Sequence, residues 1–195
     1  HYDVLLTAMV MRLRQLFRDD SLPFLNVQLP MWIAAGDEDK HDWARLRLAQ
    51  ARAASALQPG GLAILLDCGE FDNIHPTDKR TPGERLCDVA LRVVYGMDAP
   101  ESPRALGKYT QGDTLVVTLS APVLRRETGE LLLEIAGEDG AYHPVQSVTL
   151  DGTEMRLRSV AVLHPAKVRY AYVNWGKVAL FGRNGLPLAP FAFEG

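Results

Sequence analysis

The amino-acid sequence predicts an α/β region followed by an all-β, sandwich-like region. Helical and strand signals alternate over roughly the first hundred residues, and only strand signals follow over roughly the last ninety. Between them, residues 97–113 contain prolines and glycines and no apolar period. We therefore predict an α/β domain at residues 1–97, a linker at 98–113 and a β-sandwich domain at 114–195.

Composition excludes several classes of protein. The chain has 195 residues, 47% of them hydrophobic and 23% charged, which is typical of a globular protein. A net charge of −3 with mixed signs gives no basic surface for nucleic acid. No apolar segment approaches the roughly 20 residues that span a bilayer. Cys68 and Cys87 fit neither a disulfide framework nor a metal site, and we expect both to be buried structural residues.

The first two elements are a helix and a strand. Residues 3–17, DVLLTAMVMRLRQLF, predict an amphipathic helix with Asp3 as N-cap and with Leu6, Val10, Leu13 and Phe17 on one apolar stripe. Residues 22–30, LPFLNVQLP, predict a strand because a short apolar run is closed by prolines.

A second helix, a second strand and a third helix follow. Residues 41–61 predict a helix that Asp42 caps and that Pro59, Gly60 and Gly61 end. Residues 61–69, GLAILLDCG, predict a strand covered on both faces, since polar and apolar residues do not alternate. A capping box from Thr81 to Glu84 predicts a helix from about Pro82 to Tyr95, ended by Gly96.

This order of elements is typical of parallel strands joined by helical crossovers. Because two strands do not complete such a sheet, the pattern favours the second half of a doubly wound domain. A small, complete two-layer domain is the alternative.

The all-β region contains β-rich segments separated by turn signals. VTLDGTEMRL predicts a hairpin with a type I′ turn at Asp151-Gly152. Arg169, Tyr170 and Tyr172 alternate along one predicted strand, so Tyr170 and Tyr172 are expected to share a core face. Residues 184–191, NGLPLAPF, predict a turn and an extended anchor against the first domain. The six predicted strand segments are DTLVVTLS, ELLLEIAG, VQSVTLDG, TEMRLRSVAV, KVRYAYVN and KVALFG.

The loop after the second strand, GEFDNIHPTDKR at 69–80, contains Asp72 three residues before His75. Reactive groups in open α/β sheets lie beyond the carboxyl ends of the strands, where this loop begins. A carboxylate near an imidazole can orient the ring and stabilise its protonated form during proton transfer. Pro76 restricts His75 toward an extended backbone. In the alternative interpretation, Asp72 caps a turn and His75 packs against a helix end.

The loop and its surroundings resemble the sialate O-acetylesterase family of the SGNH hydrolase superfamily, as its carboxyl-terminal part. The resemblance implies a flavodoxin-like esterase domain with a β-rich accessory domain, which removes O-acetyl groups from sialic acid or related glycans without metal or cofactor. It implies that Asp72 and His75 are the catalytic acid and base, and that the protein is periplasmic or secreted. The resemblance rests on PFLNVQLP (23–30), WARLRLAQ (43–50), LLDCGEFDNIHPTDKRTPGERL (65–86), ALRVVYG (90–96), VRYAYVN (168–174) and NGLPLAPF (184–191).

The sequence departs from that family at the nucleophile. Members carry a serine in a G-Q-S-N-like turn and oxyanion donors upstream of the part that this chain resembles, and the six serines here lack that turn context. We therefore expect one piece of an esterase, nearly inert alone, whose partner is an amino-terminal segment of the same protein that supplies Ser, Gly and Asn. The serines are Ser21, Ser55, Ser102, Ser120, Ser147 and Ser159.

Two other functions stay open: a carbohydrate-binding or interaction module without hydrolysis, and an acetyl esterase of plant polysaccharides. The sequence of residues 114–193 shows no dense aromatic platform, which speaks against the binding module. Gln28, Gln50, Trp32 and Trp43 could contact substrate, although structural roles are expected for all four. The remaining histidines have no metal-ligand spacing, and we predict no metal site there; they are His1, His41, His143 and His164.

Overall fold

The computed structural model describes residues 1–194 and divides the chain into two compact units, one at His1–Glu101 and one that begins at Ser102. Strand β3, Ala105–Gln111, lies in the segment predicted as a linker. All seven of its residues are exposed or half-buried. Because none of them is in the core, the sequence ALGKYTQ has no alternation of apolar and polar residues from which a strand could be predicted. None of the helices within residues 1–194 has the length and apolar character that crossing a bilayer requires.

The first unit contains three helices and a parallel strand pair. Strands β1 and β2 pair in parallel, with Phe24 opposite Gly60 and Val27 opposite Ala63, which confirms the predicted parallel arrangement. Helices α2 and α3 pack against the strands, and α1 packs against α2. The elements are α1 Tyr2–Phe17, β1 Phe24–Val27, α2 Asp42–Ala56, β2 Gly60–Ala63 and α3 Arg80–Val93.

Strand β2 is shorter than the sequence predicts, because it ends at Ala63 rather than at residue 69. The apolar run continues as buried, non-strand residues from Ile64 to Leu66. A Cβ atom at Gly61 would lie 2.3 Å from a side-chain carbon of Val89 in α3. Glycine at position 61 therefore lets α3 pack close to β2.

Helix α1 buries a different face from the predicted one. Val10 is buried as expected, but Leu13 and Phe17 are 37% and 69% exposed, and Arg14 is buried instead. Arg14 donates hydrogen bonds to the carbonyl oxygens of Leu22, Gln58 and Pro59 at 3.0, 3.1 and 3.0 Å. The buried face is thus set by carbonyl groups that precede both strands, which the apolar period of the helix cannot reveal.

The predicted N-caps of the three helices are wrong. Helix α1 has His1 at its N-cap position, and the carboxylate of Asp3 accepts a hydrogen bond from Arg52 Nε of α2 at 2.8 Å. Helix α2 has His41 there, so Asp42 is its first residue. These shifts of one or two residues show that an acid near a helix start does not by itself fix the first turn.

The capping box predicted at the start of α3 does not form. The helix begins at Arg80, and Asp78 Oδ1 accepts the backbone N–H groups of Arg80 and Thr81 at 3.0 and 3.1 Å. The Glu84 carboxylate accepts a hydrogen bond from Arg80 Nε at 2.6 Å. The predicted end is nearly right, because α3 stops at Val93 and Gly96 has a φ of 62°.

The second unit is all-β and antiparallel, as predicted. It contains two four-stranded sheets, with strand orders β12-β10-β6-β7 and β3-β4-β9-β8, and the two-stranded pair β11-β5. The further strands are β4 Thr114–Leu119, β5 Val123–Arg125, β6 Leu133–Ala136, β7 His143–Pro144, β8 Ser147–Asp151, β9 Glu154–Arg158, β10 Lys167–Tyr170, β11 Leu180–Gly182 and β12 Phe191–Phe193.

The predicted hairpin is confirmed, but its turn differs. Asp151 pairs with Glu154, so the two loop residues are Gly152 and Thr153. Gly152 has a φ of 55°, while Thr153 is not among the residues with positive φ in the described chain. A type I′ turn at Asp151-Gly152 requires two positive φ values at those residues and is therefore wrong.

Strand β10 ends earlier than predicted, at Tyr170. Ala171 has a φ of 54°, and the chain turns there. Tyr170 is buried, whereas the ring of Tyr172 lies 4.7 Å from the Arg169 guanidinium carbon. The predicted common face of Tyr170 and Tyr172 is wrong because the strand stops between them.

The last residue of NGLPLAPF, Phe191, begins β12 and pairs with Tyr170 within the second unit.

Candidate functional site

The loops that follow β1 and β2 are joined at the carboxyl ends of the two strands. The backbone N–H of Asp72 donates to the carbonyl oxygen of Ile33 at 3.0 Å. In return, Asp72 Oδ1 accepts the backbone N–H of Ala35 at 2.8 Å. Asp72 has a φ of 58°, a left-handed conformation that aspartate tolerates better than most residues. Asp72 therefore connects two loops that lie far apart in the sequence.

His75 lies on the same loop, and its side chain is exposed to solvent. Its backbone N–H donates to Asn73 Oδ1 at 3.1 Å, and the next residue, Pro76, is buried. Within residues 1–194, no hydrogen bond or ion pair joins the side chains of Asp72 and His75. The structure thus brings the two residues into one loop at the expected strand end, and their acid and base roles stay predictions.

Glu70 organises this loop, although it was not among the predicted site residues. Its Oε1 accepts the backbone N–H and the Oγ1 hydroxyl of Thr77 at 2.7 and 2.6 Å, and its Oε2 accepts Asn73 Nδ2 at 2.6 Å. The hydrogen bonds from Thr77, followed by the one from Asn73, lower the pKa of Glu70 below its ordinary value. The sequence signal for this role was the presence of an acid, an amide and a hydroxyl in the short segment GEFDNIHPT, at Glu70, Asn73 and Thr77.

An ion pair fixes the start of the loop to helix α3. Arg85 donates to both carboxylate oxygens of Asp67, at 2.6 and 2.8 Å, and to the carbonyl oxygen of Ile64 at 2.7 Å. Such bidentate pairing holds both partners in one orientation. The backbone just after β2 is therefore anchored before the loop turns toward His75.

The two cysteines differ in their surroundings. Burial raises the pKa of Cys68 to about 12, so its thiol stays protonated near neutral pH. Cys68 is half-buried and Cys87 is exposed on α3, so the prediction that both cysteines are buried is wrong for Cys87 and only partly met by Cys68.

The two glutamines near the site contact the protein itself. Gln50 Oε1 accepts the backbone N–H of Leu29 at 2.9 Å, and its Nε2 donates to the carbonyl oxygen of Val27 at 3.2 Å. Gln28 is buried, and its Nε2 lies 3.4 Å from the carbonyl oxygen of Arg47. These contacts agree with the structural roles expected for both residues.

The two tryptophans form a pair beside the loop that follows β1. The ring centroids of Trp32 and Trp43 lie 5.2 Å apart at an interplanar angle of 55°, and both residues are half-buried. Trp43 Nε1 donates to the carbonyl oxygen of Pro30 at 2.7 Å. Packing against each other and against the chain after β1 accounts for the burial of these rings.

The loop leaves the imidazole of His75 open to solvent. Within residues 1–194, no group of three or more His, Cys, Asp or Glu side chains has a metal-binding arrangement. An exposed imidazole on a loop held by Glu70, Asp72 and Asp67 can reach a partner group outside the loop. Histidine is the side chain that most often acts as a general base.

Comparison with known proteins finds a similar solved structure. No family model matches the chain, and no curated protein matches it. Among the solved structures that match, one is described as a novel carbohydrate acetylesterase from Xanthomonas citri; it is 33% identical, with a TM-score of 0.89. The match covers 98% of this chain and 46% of the neighbour. Along nearly all of its length, the chain is therefore similar to just under half of a carbohydrate acetylesterase.

Proposed function

We propose that the chain is the acid and base part of a carbohydrate O-acetylesterase of the SGNH type. The observation that carries the proposal is the match over 98% of the chain, at 33% identity and a TM-score of 0.89, to a carbohydrate acetylesterase. The position of Asp72 and His75 beyond the end of β2 supports it, because open α/β enzymes place their reactive groups there.

In the proposed reaction, His75 removes the proton of a serine hydroxyl, and the serine oxygen attacks the acetyl carbonyl carbon. The protonated imidazole then passes its proton to the leaving sugar oxygen, and water releases acetate from the acetyl-serine intermediate. Asp72 orients the imidazole. Since Asp72 Oδ1 already accepts the Ala35 N–H, the proposal assigns this role to Oδ2.

The serine and the oxyanion donors come, in this proposal, from an amino-terminal segment of the same protein. The chain spans 46% of the length of its neighbour, which leaves more than half of that enzyme unmatched. The surface of helix α1 supports this proposal, because it offers apolar side chains against which another segment could pack. The exposed large apolar residues of the helix are Tyr2, Val4, Leu5, Met9, Met11, Leu13, Leu16 and Phe17. Exposed apolar patches of this kind mark protein contacts.

The proposed roles predict that His75→Ala, in the protein that includes this chain and its upstream segment, lowers kcat for acetate release by about 10³-fold or more. Asp72→Asn should cost less, because the imidazole remains in place. His164→Ala is the matched control, since His164 is also exposed but lies in the second unit. An unchanged rate in His75→Ala, with the fold intact by circular dichroism, would reject the base assignment.

For the substrate, we propose an O-acetylated sugar, with O-acetylated sialic acid as the first candidate. Acetate release should be compared between acetylated sialic acid, an acetylated plant polysaccharide and a simple aryl acetate. A preference of kcat/KM for acetylated sialic acid would support the sialate assignment. A preference for the polysaccharide would replace it, and binding of all three without release of acetate would contradict the esterase proposal.

A further inference from the structure

The loop of His75 is held by a side chain that the proposed reaction does not use. We propose that Glu70 is the positioning residue for His75, and that it acts through Asn73 and Thr77. This inference rests on the proposed function, because it concerns how the general base is held in place. Asp72 is a separate support, since it bonds to the loop after β1.

The hydrogen bonds of Glu70 fix the chain on both sides of His75. Thr77, two residues after His75, donates its backbone N–H and its hydroxyl to Glu70 Oε1 at 2.7 and 2.6 Å. Asn73, two residues before His75, donates its Nδ2 to Glu70 Oε2 at 2.6 Å. The loop is thus closed by one carboxylate, and His75 lies between the two attachment points.

Asn73 passes this constraint on to His75 itself. Because Asn73 Nδ2 is directed at Glu70, its Oδ1 is turned toward the backbone N–H of His75, at 3.1 Å. An amide has its donor and its acceptor on opposite sides, so only one of its two orientations satisfies both contacts. The carboxylate therefore determines which way Asn73 faces, and Asn73 determines where the backbone of His75 lies.

A carboxylate suits this position better than an amide of the same shape. Glu70 meets three donors, and an ionised carboxylate accepts through both oxygens. In Glu70→Gln, an NH₂ group would face Asn73 Nδ2, donor against donor. Turning the Asn73 amide would relieve that conflict, but its NH₂ group would then face the His75 N–H. Either orientation leaves one contact broken.

The same geometry provides a compensating pair of substitutions. In Asn73→Asp alone, a second carboxylate would face Glu70 and repel it. In the double variant Glu70→Gln with Asn73→Asp, the Gln NH₂ group can donate to the new carboxylate, whose other oxygen can accept the His75 N–H. Thr77 can still donate both of its hydrogen bonds to the Gln oxygen. Complementary hydrogen bonding returns only when both residues are exchanged.

The test measures acetate release by the full protein carrying Glu70→Gln, Asn73→Asp or both. Each single variant should lower kcat about tenfold to a hundredfold with KM nearly unchanged, because a displaced base slows the chemical step while sugar binding persists. The double variant should recover most of the lost kcat. Glu84→Gln is the matched control, since Glu84 is an exposed acid that pairs with Arg80 on α3.

Amide hydrogen exchange of the peptide covering residues 69–79 gives a second measurement that does not depend on activity. Exchange should be faster in Glu70→Gln and return toward the original rate in the double variant. Unchanged exchange in Glu70→Gln would overturn the proposal, as would faster exchange with unchanged kcat, or a double variant no better than the singles. If the unsubstituted protein releases no acetate, the proposed function fails, and exchange alone decides whether Glu70 holds the His75 segment.

Discussion

At the scale of single residues, the buried Arg14 is expected to contribute strongly to stability. Its three donors meet three backbone carbonyls, and the residue is only 4% exposed. Arg14→Met would remove these three hydrogen bonds, although the Pro59 carbonyl keeps the N–H of Phe24 as a donor. We expect the substitution to lower the free energy of unfolding by about 3 kcal/mol. Urea-induced unfolding measures the change.

Arg12→Met is the control for this prediction, because Arg12 lies on the same helix and makes one exposed contact, to Gln15 at 3.3 Å. We expect no measurable change in unfolding for it. Equal unfolding midpoints for the two variants would contradict the role given to Arg14.

The lowered pKa of Glu70 indicates how the His75 loop should respond to acid. Its pKa is lowered in the folded state, chiefly by the hydrogen bonds from Thr77, with a smaller contribution from the positive charge of Lys79. The stabilisation is therefore complete above the ordinary pKa of a glutamate and is lost as the pH falls through the lowered value. The ¹⁵N chemical shift of the Thr77 amide should show this transition below about pH 4.5. The transition should be missing in Glu70→Gln, and an identical titration in that variant would contradict the assignment.

The sequence could single out candidate residues for proton transfer in this loop, but not the contacts that hold them. Asp72 and His75 stand out by type and spacing in a loop at a strand end. The partner of Asp72 is Ala35, 37 residues earlier in the chain, and only the paired strands bring these two residues together. Glu70 looks like an ordinary loop acid until the fold places Thr77 and Asn73 around it.

At the scale of elements, Gly69 sets how closely the two loops approach. A Cβ atom there would lie 1.8 Å from the carbonyl oxygen of Met31, so the chain after β1 would have to move away. We expect Gly69→Ala to destabilise the fold by about 1–3 kcal/mol and to weaken the Asp72 to Ala35 contact. The midpoint temperature of thermal unfolding and the rate of acetate release by the full protein should both decrease.

Gly83 provides the opposite case within helix α3. A Cβ atom at Gly83 would meet nothing within 4 Å, and its φ is not positive. Gly83→Ala should therefore raise stability by up to about 1 kcal/mol, because alanine favours the helix. A loss of stability in this variant as large as that of Gly69→Ala would show that the clash at Gly69 is not the cause.

The types of the main elements follow from local patterns, whereas their partners do not. The three helices, the parallel pair and six of the antiparallel strands lie where periodicity predicts them. Strand β3 and the short strands β5, β7 and β12 have too few alternating apolar residues to be recognised. The predicted buried face of α1 was wrong, because contacts with α2 and with backbone carbonyls determine which face is buried.

At the scale of the whole molecule, the apolar surface of α1 affects how the chain behaves on its own. Leu16 and Phe17 are 61% and 69% exposed at the end of that helix. We expect the 195-residue chain to self-associate through this surface, and Leu16→Lys with Phe17→Lys to reduce the association, measured by sedimentation velocity.

Val160→Lys in the second unit is the control, because Val160 is an equally apolar exposed residue, at 87%, outside α1. It should leave the association unchanged. A chain that sediments as a monomer before any substitution would refute the role of α1.

The side chain of Gln50 has a consequence for the outer edge of β1. Phe24 and Gln28 direct their N–H groups at β2, so Leu25, Val27 and Leu29 direct theirs to the opposite side. On that side, the amide of Gln50 already bonds to the Val27 carbonyl and the Leu29 N–H. A strand added at this edge can pair with Leu25, but it has to end or bend away before the Val27 carbonyl and the Leu29 N–H, which Gln50 already occupies. Helix α2, through Gln50, therefore limits how long such a strand can be.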